Sequence, residues 1–445
     1  MRMGLGGVAR YPRPGYTRPP PGRRPDAPYT ATVPMTEATQ TIPERRTPRG
    51  AAMGAGGAAL LVAVSHGVND AYSAFLHPLL PRIMDRMGLS IALAATLAMT
   101  LSLAASVLQP LMGFLADRMG RRWFVAAGPL LSGIFLSSIG LAPTFGILLL
   151  FLALGGLGSA AFHPPGASMA ARVSAGKGSG LRLSIFSFGG ALGFAVGPLV
   201  AVGMVQQVGL EGLWMAMVPG VILAILIVRV LPEDPVPSGQ VRKPPSPRQV
   251  LRRLAGPLGV IFAISTLGSF AQRTFLTFEP LIVADAGGSE ALGAAMLSVF
   301  LGAQALGTLS GGILSDRVDR QRLLVTLAVL AFPAHLLAVG LAPGTGGAFM
   351  AAAAAGYLNM AMLPPMVIMA QEILPEGAAV SSGIVMGLAW AAGSVGVLGI
   401  GVVADVIGPR SAALWAMPAL LAAAGLALVP ALKAHGRPAH HAPGT

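Results

Sequence analysis

The sequence predicts an all-α membrane protein whose twelve transmembrane helices form two pseudo-symmetric bundles of six. The first ground is where charge is absent. No Asp, Glu, Lys or Arg falls between residues 87 and 116, from Trp123 to Ala171, from Leu183 to Leu210, or from Gly212 to Val228. The same holds for 291–315, Leu323–Gln371, Gly377–Ala404 and 411–432. Two of these tracts run 49 residues, each enough for two spans of roughly 20 residues. The second ground is composition. Apolar types make up 54% and charged types 11% of the chain, which excludes a string of soluble domains. Abundant glycine with few aromatics is the composition of closely packed membrane helices. The third ground is repetition. Gly113 and Asp117 recur as Gly312 and Asp316, 199 positions later, while Pro164-Pro165 and Gly193 recur as Pro364-Pro365 and Gly393, 200 later. Parallel repeated halves around a midplane site are a transporter architecture.

The elements follow in order. Residues 1–50 contain ten Pro and nine Arg without apolar periodicity, so a disordered cytoplasmic tail is expected. Arg45-Arg46 has the form of a twin-arginine signal. No convincing small-residue cleavage site follows it, and a basic flank holding span 1 inward accounts for the same residues. Met35 and Met53 are alternative starts. The N-terminal bundle is expected over 55–231. Its span 1 is interrupted by Asp70, its spans 3 and 4 turn near Ala142-Pro143, and its spans 5 and 6 fill the two tracts after Arg182. A Pro-, Arg- and Lys-rich cytoplasmic linker covers 232–254. The C-terminal bundle, 255–432, repeats the pattern with span 7 interrupted by Gln272-Arg273, and a cytoplasmic tail covers 433–445.

Orientation is read from Lys and Arg. With the N-terminus inside, 26 of the 30 basic residues fall in cytoplasmic segments. Arg82, Arg86 and Arg410 fall outside, and Arg273 lies within a span. The net charge of +13 is therefore a topology signal and an anionic-lipid contact. Nucleic-acid binding, which needs a soluble basic face with stacking groups, is excluded. The expected location is the plasma (cytoplasmic) membrane, with both termini cytoplasmic.

After span 2 stands Gly113-Phe-Leu-Ala-Asp117-Arg118-Met-Gly120-Arg121-Arg122, with a degenerate copy, Gly312-Ile-Leu-Ser-Asp316-Arg317-Val-Asp319-Arg320, after span 8. Glycine lets two helices approach closely. An aspartate at a helix end can accept a bond from a neighbouring helix terminus, and the arginines can pair with acids on the same face. A latch of this kind holds one access state and releases in the other. The first stretch resembles the signature loop of the major facilitator superfamily, and the resemblance covers about 55 to 432. It implies that family's fold and secondary transport.

Span 5 carries Gly189-Gly-Ala-Leu-Gly193-Phe-Ala-Val-Gly197-Pro198. Small residues at every fourth position give a smooth face for close packing, and the proline bends the helix. The stretch resembles the antiporter motif of drug:proton exporters in the superfamily. The trailing Gly-Gly of that motif is Ala201-Val202 here, and span 4 lacks the arginine usual in those exporters. Helix packing alone is the other reading. Ser65-His66-Gly-Val-Asn69-Asp70 and the span-4 stretch Gly155 to Pro164 resemble the fosmidomycin-resistance branch, which expels a phosphonate antibiotic.

Polar residues inside spans are costly and face a cavity or a partner. At about 100° per residue, His66, Asn69, Asp70, Ser73 and His77 share one face of span 1, and His66 and Asp70 stand four apart, within bonding reach. Such a pair binds and releases a proton near neutral pH. On span 7, Thr266, Ser269, Arg273 and Thr277 share a face, so Arg273 is expected to meet Asp70, the substrate, or each in turn. His163, before a double proline expected to break span 4, is a gate or a cap. Gln109, Gln304 and Asn359 are further cavity candidates, His335 is read as packed, and His435, His440 and His441 as solvated.

There is no cysteine, no Walker loop and no H-E-x-x-H, so the sequence supports neither thiolate chemistry, direct ATP drive nor a zincin site. No cofactor or metal is expected. The expected function is a proton-coupled exporter of small organic molecules, working as a monomer in the lipid bilayer on a substrate that is anionic if it supplies the partner of Arg273. An importer by symport or facilitation is the alternative, and a non-transporting membrane sensor a remote one.

Overall fold

The computed structural model describes residues 54–173, 179–231 and 247–436, and all regular structure among them is helical. Span 1 is α1 (Ala55–Ser73) continued by α2 (Leu76–Met87). The interruption falls at Ala74-Phe75 because Pro78 has no N–H to return to the Ala74 carbonyl. Span 2 is α3 (Ile91–Val107) and α4 (Gln109–Met119), bent by 42°. Spans 3 to 6 are α5 (Arg121–Ser137), α6 (Phe145–Val173), α7 (Ser179–Gly212) and α8 (Met217–Val230). A basic amphipathic helix, α9 (Pro247–Leu254), meets span 7, α10 (Pro257–Asp285), at a 70° bend. Spans 8 and 9 are α11 (Glu290–Ser315) and α12 (Arg320–Gly340), and span 10 is α13 (Gly346–Ala361) with α14 (Leu363–Ile373). Span 11 runs from α15 (Ala378–Gly383) through a π-helical turn into α16 (Ala389–Ile407), and span 12 is α17 (Pro409–Ala416) with α18 (Ala419–Ala427).

Eight runs are long and apolar enough to cross a membrane, or ten if each bent pair is one span. The run Ser184–Val230 holds two spans, parted where Gly209 takes φ 77° and Leu213–Ala216 forms a 3-10 turn. Span 1 completes the twelve, its apolarity diluted by Asp70, Arg82, Asp85 and Arg86. Side-chain caps set several starts: Ser90, Ser289, Asp319 and Thr345 each accept a bond from the backbone N–H three residues on. Exposed Phe188, Met350, Val406 and Trp415 belong to an apolar exterior suited to lipid.

Spans 1 and 5 pack backbone to backbone. A Cβ at Gly193 would run into the Gly67 carbonyl, and one at Gly197 would lie 2.5 Å from the Ala71 carbonyl. The two halves meet along α3 with α16 and along α7 with α11, equivalent pairs in the repeat. Ser102 and Ser394 bond through their hydroxyls at 2.5 Å on the first of these seams.

One expectation is corrected. Pro164-Pro165 does not break span 4, since α6 is continuous through both. Tight packing supports it there: Phe162 lies against Gly128, and a Cβ on Gly113 would sit 3.2 Å from the Pro164 ring. At the equivalent Pro364-Pro365 only Met362 leaves the helical hydrogen-bond pattern, and Gly346–Ile373 still runs as one span. The end of the expected linker, 247–254, is helix α9, and the start of the C-terminal tail, Lys433–Gly436, is a further helical turn. The expected tail 1–50, both alternative starts, most of the linker (232–246), and His440 and His441 lie outside the described residues.

If the glycine face sets the distance between spans 1 and 5, Gly193→Ala should destabilise the chain by about 1–3 kcal/mol, the usual cost of overpacking. Thermal unfolding of purified protein checks this against Gly399→Ala, where a Cβ meets nothing within 4 Å and no loss is expected.

Candidate functional site: a two-histidine carboxylate cluster and a buried guanidinium

In the first half, Asp70 is the centre. His66 Nε2 lies 3.2 Å from Asp70 Oδ2, one helical turn away. His163 Nε2 approaches Asp70 Oδ1 to 3.5 Å from span 4. Asn69 donates to Asp70 Oδ1 at 3.1 Å and is itself held by Ser132, 3.1 Å from its Oδ1. The three ligand-capable atoms of His66, Asp70 and His163 lie within 4.8 Å of one another, so they can share one small cation.

The orientation of His66 indicates which cation. Its Nδ1 lies 2.9 Å from the Phe186 carbonyl, which can only accept, so Nδ1 carries a hydrogen. Nε2 then faces a carboxylate oxygen, and that contact is attractive only when a proton sits between them. The ring is clamped between Phe186, with centroids 4.3 Å apart, and Phe162, at 5.5 Å. Span 5 can bring the Phe186 carbonyl this near because Gly189, Gly190 and Gly193 leave room for span 1.

In the second half, Arg273 makes no ion pair among the described residues, and its Nε is buried without a partner. Its guanidinium carbon lies 6.0 Å from the Trp390 ring centroid, and its charge acts on His77. Gln272 donates to Gln304 at 3.1 Å, leaving Gln304 Nε2 unpartnered, as are His77 Nδ1 and Ser269 Oγ. Unmatched donors on spans 1, 7 and 8 suit an acceptor-rich ligand.

Several expected site residues have local duties. Ser73 Oγ bonds its own helix at the Asn69 carbonyl, Gln109 returns to the Ala105 carbonyl, and Asn359 ties span 10 to the Gly268 carbonyl of span 7. Arg273 does not meet Asp70, whose partners are His66, His163 and Asn69. Physically, the two histidines already supply Asp70 with its donors.

In the span 2–3 loop, Asp117 pairs with Arg121 at 2.7 Å within the same loop. That differs from the expected bond to a neighbouring helix terminus, because Gly120, at φ 101°, turns the chain so that α5 starts beside the acid. Arg118 stacks on Phe114 at 4.1 Å. In the second copy Gly312 meets nothing within 4 Å, Asp316 ends α11, and Arg317 is exposed. A helix-terminus latch does exist, on the opposite face. Asp405 at the end of span 11 accepts from the Ile91 and Ala92 N–H groups of span 2, at 2.7 and 3.2 Å. Beside it Arg82 holds Glu290 through two bonds, at 2.6 and 3.0 Å. Both ties join the halves across the face away from the linker. Asp405 was detectable only as the charge that closes a charge-free tract. Phe186 carried no sequence signal, because its backbone carbonyl acts.

Twelve membrane helices in two repeated halves, joined at paired seams and carrying buried polar clusters, define a membrane carrier rather than an enzyme. The chain belongs to the Major Facilitator Superfamily, whose family model matches residues 59–379. It is 28% identical over 373 residues to the uncharacterized MFS-type transporter YfnC of Bacillus subtilis, covering 81% of this chain and 90% of that one. It is also 28% identical over 355 residues to the fosmidomycin resistance protein of Escherichia coli, covering 77% and 85%. Among solved structures, a bacterial homologue of the human lysosomal transporter Spinster, inward-facing and unoccupied, superposes with TM-score 0.71 at 17% identity, covering 85% of this chain and 97% of that one. The nucleoside transporter NupG superposes with TM-score 0.69 at 15% identity, covering 83% and 98%. These likenesses are of fold.

Charge-assisted hydrogen bonds contribute about 1.5–3 kcal/mol each. Asp405→Asn should therefore shift the access balance roughly tenfold toward opening of the face that Asp405 seals. The chain has no cysteine, so a single Met99→Cys on the same seam reports this through its rate of maleimide labelling from that face.

Proposed function

We propose that the chain is a proton-coupled exporter of small organic molecules, an antiporter of the cytoplasmic membrane with its linker face and both termini in the cytoplasm. The observation that carries this reading is the pairing of His66 with Asp70, in which the Phe186 carbonyl orients the imidazole so that the second nitrogen meets the carboxylate only through a proton. When that proton leaves, the lone pair of His66 faces a carboxylate, and His163, now at 3.5 Å, becomes the donor that Asp70 needs. His163 precedes Pro164, which packs on Gly113 of the span-2 loop motif. A move of His163 toward Asp70 is thereby passed to the segment that carries Asp117, Arg118 and Arg121. Proton release at the cluster and rearrangement of the gating loop become one event.

Arg273 serves the substrate in this reading. A guanidinium that cannot shed its charge and has no ion pair among the described residues suits a carboxylate or phosphonate, gripped through parallel hydrogen bonds. The similarity to the Escherichia coli fosmidomycin resistance protein supports outward transport. The basic linker-side residues, among them Arg248, Arg252 and Arg253 of α9, suit a cytoplasmic, anionic leaflet. The division into bundles 55–231 and 255–432 and a working monomer belong to the same proposal.

Proteoliposomes with an imposed pH gradient test it, using fosmidomycin as the first probe within a panel of small organic anions. Uptake against the proton flux supports antiport; co-directional uptake supports symport import, and absence of flux across the panel a non-transporting role. Asp70→Asn should lower gradient-driven net transport at least about tenfold while substrate counterflow survives, because size is kept and only the titratable site is lost. Arg273→Lys should weaken anion binding by about 1–3 kcal/mol, the scale of charged hydrogen bonds. Binding calorimetry giving equal affinities for wild type and this variant would remove the docking role.

A further inference from the structure

Glu279 is the single acid classed as fully buried among the described residues, at 1% exposure, and neither of its carboxyl oxygens has a hydrogen-bond partner. A structural acid in a membrane protein makes bonds; Asp70 has three partners and Asp405 two. Glu279 lies on α10 six residues before its end at Asp285, about 9 Å of helix from the face away from the linker. It is six residues beyond Arg273 and belongs to neither cluster described above.

Its surroundings restrict what it can do. The spans packed on α10 bring His77, Arg82, Asp85 and Arg86 from span 1, Glu290 from span 8, His335 from span 9, Glu372 from span 10, Asp405 from span 11 and Arg410 from span 12. Its linker-side neighbours are Arg248, Arg252 and Arg253 of α9, at the opposite end of α10. Of the basic groups on that face, Arg82 pairs with Glu290 and Arg86 with Glu211, which leaves Arg410 without a carboxylate among the described residues. Arg410 stands at the start of α17 on the rim of that face, where its guanidinium donates to the Gly340 carbonyl at 3.1 Å. An ionised carboxylate without a hydrogen bond or paired cation is too costly to keep in such a place, whereas a neutral acid is tolerable.

We propose that Glu279 is a second proton-binding group of the transport cycle, loaded and unloaded from the face away from the linker, with Arg410 as counter-cation of its ionised form. The Arg82–Glu290 tie closes that face at the start of α11, next to the end of α10. Opening the face parts those helix ends. The carboxyl then gives its proton to water on that side, and Arg410 turns from the Gly340 carbonyl to the carboxylate. Resealing requires the proton to return, because Arg410 goes back to its carbonyl. This extends the proton-coupled reading with a site that its first cluster does not include.

Infrared difference spectroscopy on the full chain in lipid nanodiscs tests the site without any substrate. The carbonyl stretch of a protonated carboxyl is expected at neutral pH in wild type and in Asp70→Asn, and its loss is expected in Glu279→Gln. No such band in wild type, or a band that survives in Glu279→Gln, overturns the proposal. Should Glu279→Gln fold poorly, Glu279→Asp keeps the acid and should show the band at a shifted position; its absence there counts against the site. For the cycle, proteoliposomes are given a pH jump alone and the transient charge displacement is recorded. Glu279→Gln is expected to lose about half of it. An unchanged displacement in Glu279→Gln with loss in Asp70→Asn refutes the second site and leaves the first reading standing. No displacement in wild type refutes proton coupling as a whole, and with it Glu279's part in the cycle.

Discussion

The contact on which the rest depends is the backbone-to-backbone approach of spans 1 and 5. Where Gly67 meets Gly193, neither helix has a side chain to hold the other away. That closeness brings the Phe186 carbonyl to His66 Nδ1, and the carbonyl fixes which nitrogen of the ring carries hydrogen. With Nδ1 spent as a donor, Nε2 is presented to Asp70. The small-residue motif of span 5 therefore has a chemical consequence without touching substrate or proton. It determines the hydrogen-bonding state of a histidine on another span. The packing reading is what the contacts show, and in the proposed antiport the same packing would also prepare the His66–Asp70 pair.

A second chain of contacts runs from that pair toward the loop. His163, Pro164 and Gly113 are consecutive in space, and the loop acid Asp117 follows Gly113 by four residues. A proline ring seated on a glycine transmits displacement well, because neither group has a rotamer with which to absorb it. Span 4 stays helical across Pro164-Pro165 and can move as one body. Span 10 drops only Met362 from its helical pattern at the equivalent pair, and Met362 keeps right-handed helical dihedrals.

Much of the fold was legible, because absence of charge over twenty residues or more has few physical explanations. His66 with Asp70 was legible for a similar reason: residues four apart on one helix meet whatever surrounds them. His163 was a candidate too, but its approach to Asp70 was not legible, since periodicity relates residues within a helix and says nothing about which neighbouring span they face. The double proline was misread from the same limitation. Loss of two N–H donors predicts a break only where packing does not hold the helix, and the packing against Gly113 and Gly128 comes from distant parts of the chain. Asp117 was expected to cap a foreign helix and instead pairs with Arg121, while Asp405 performs the expected chemistry on the other face. The sequence contained the right residue type for the latch, but not which aspartate was engaged.

The placement of the engaged latches bears on how a carrier of this kind can be driven. Asp405 seals its face with a formal charge against two N–H dipoles, and Arg82 seals it with a bidentate pair to Glu290. Both are exposed to water and yield only small energies, so neither can hold the face closed against a strong opposing bias. The buried groups can supply more, because an unpaired charge in the interior costs far more than a surface pair returns. In the proposed cycle, control of access rests with whatever alters charge at Asp70, Arg273 or Glu279, and the surface ties respond. An ion that binds at depth and a substrate that matches the guanidinium can each change that internal balance by more than the latches resist. That ordering of energies allows a face to open when the buried charges call for it, and to close again when they are satisfied.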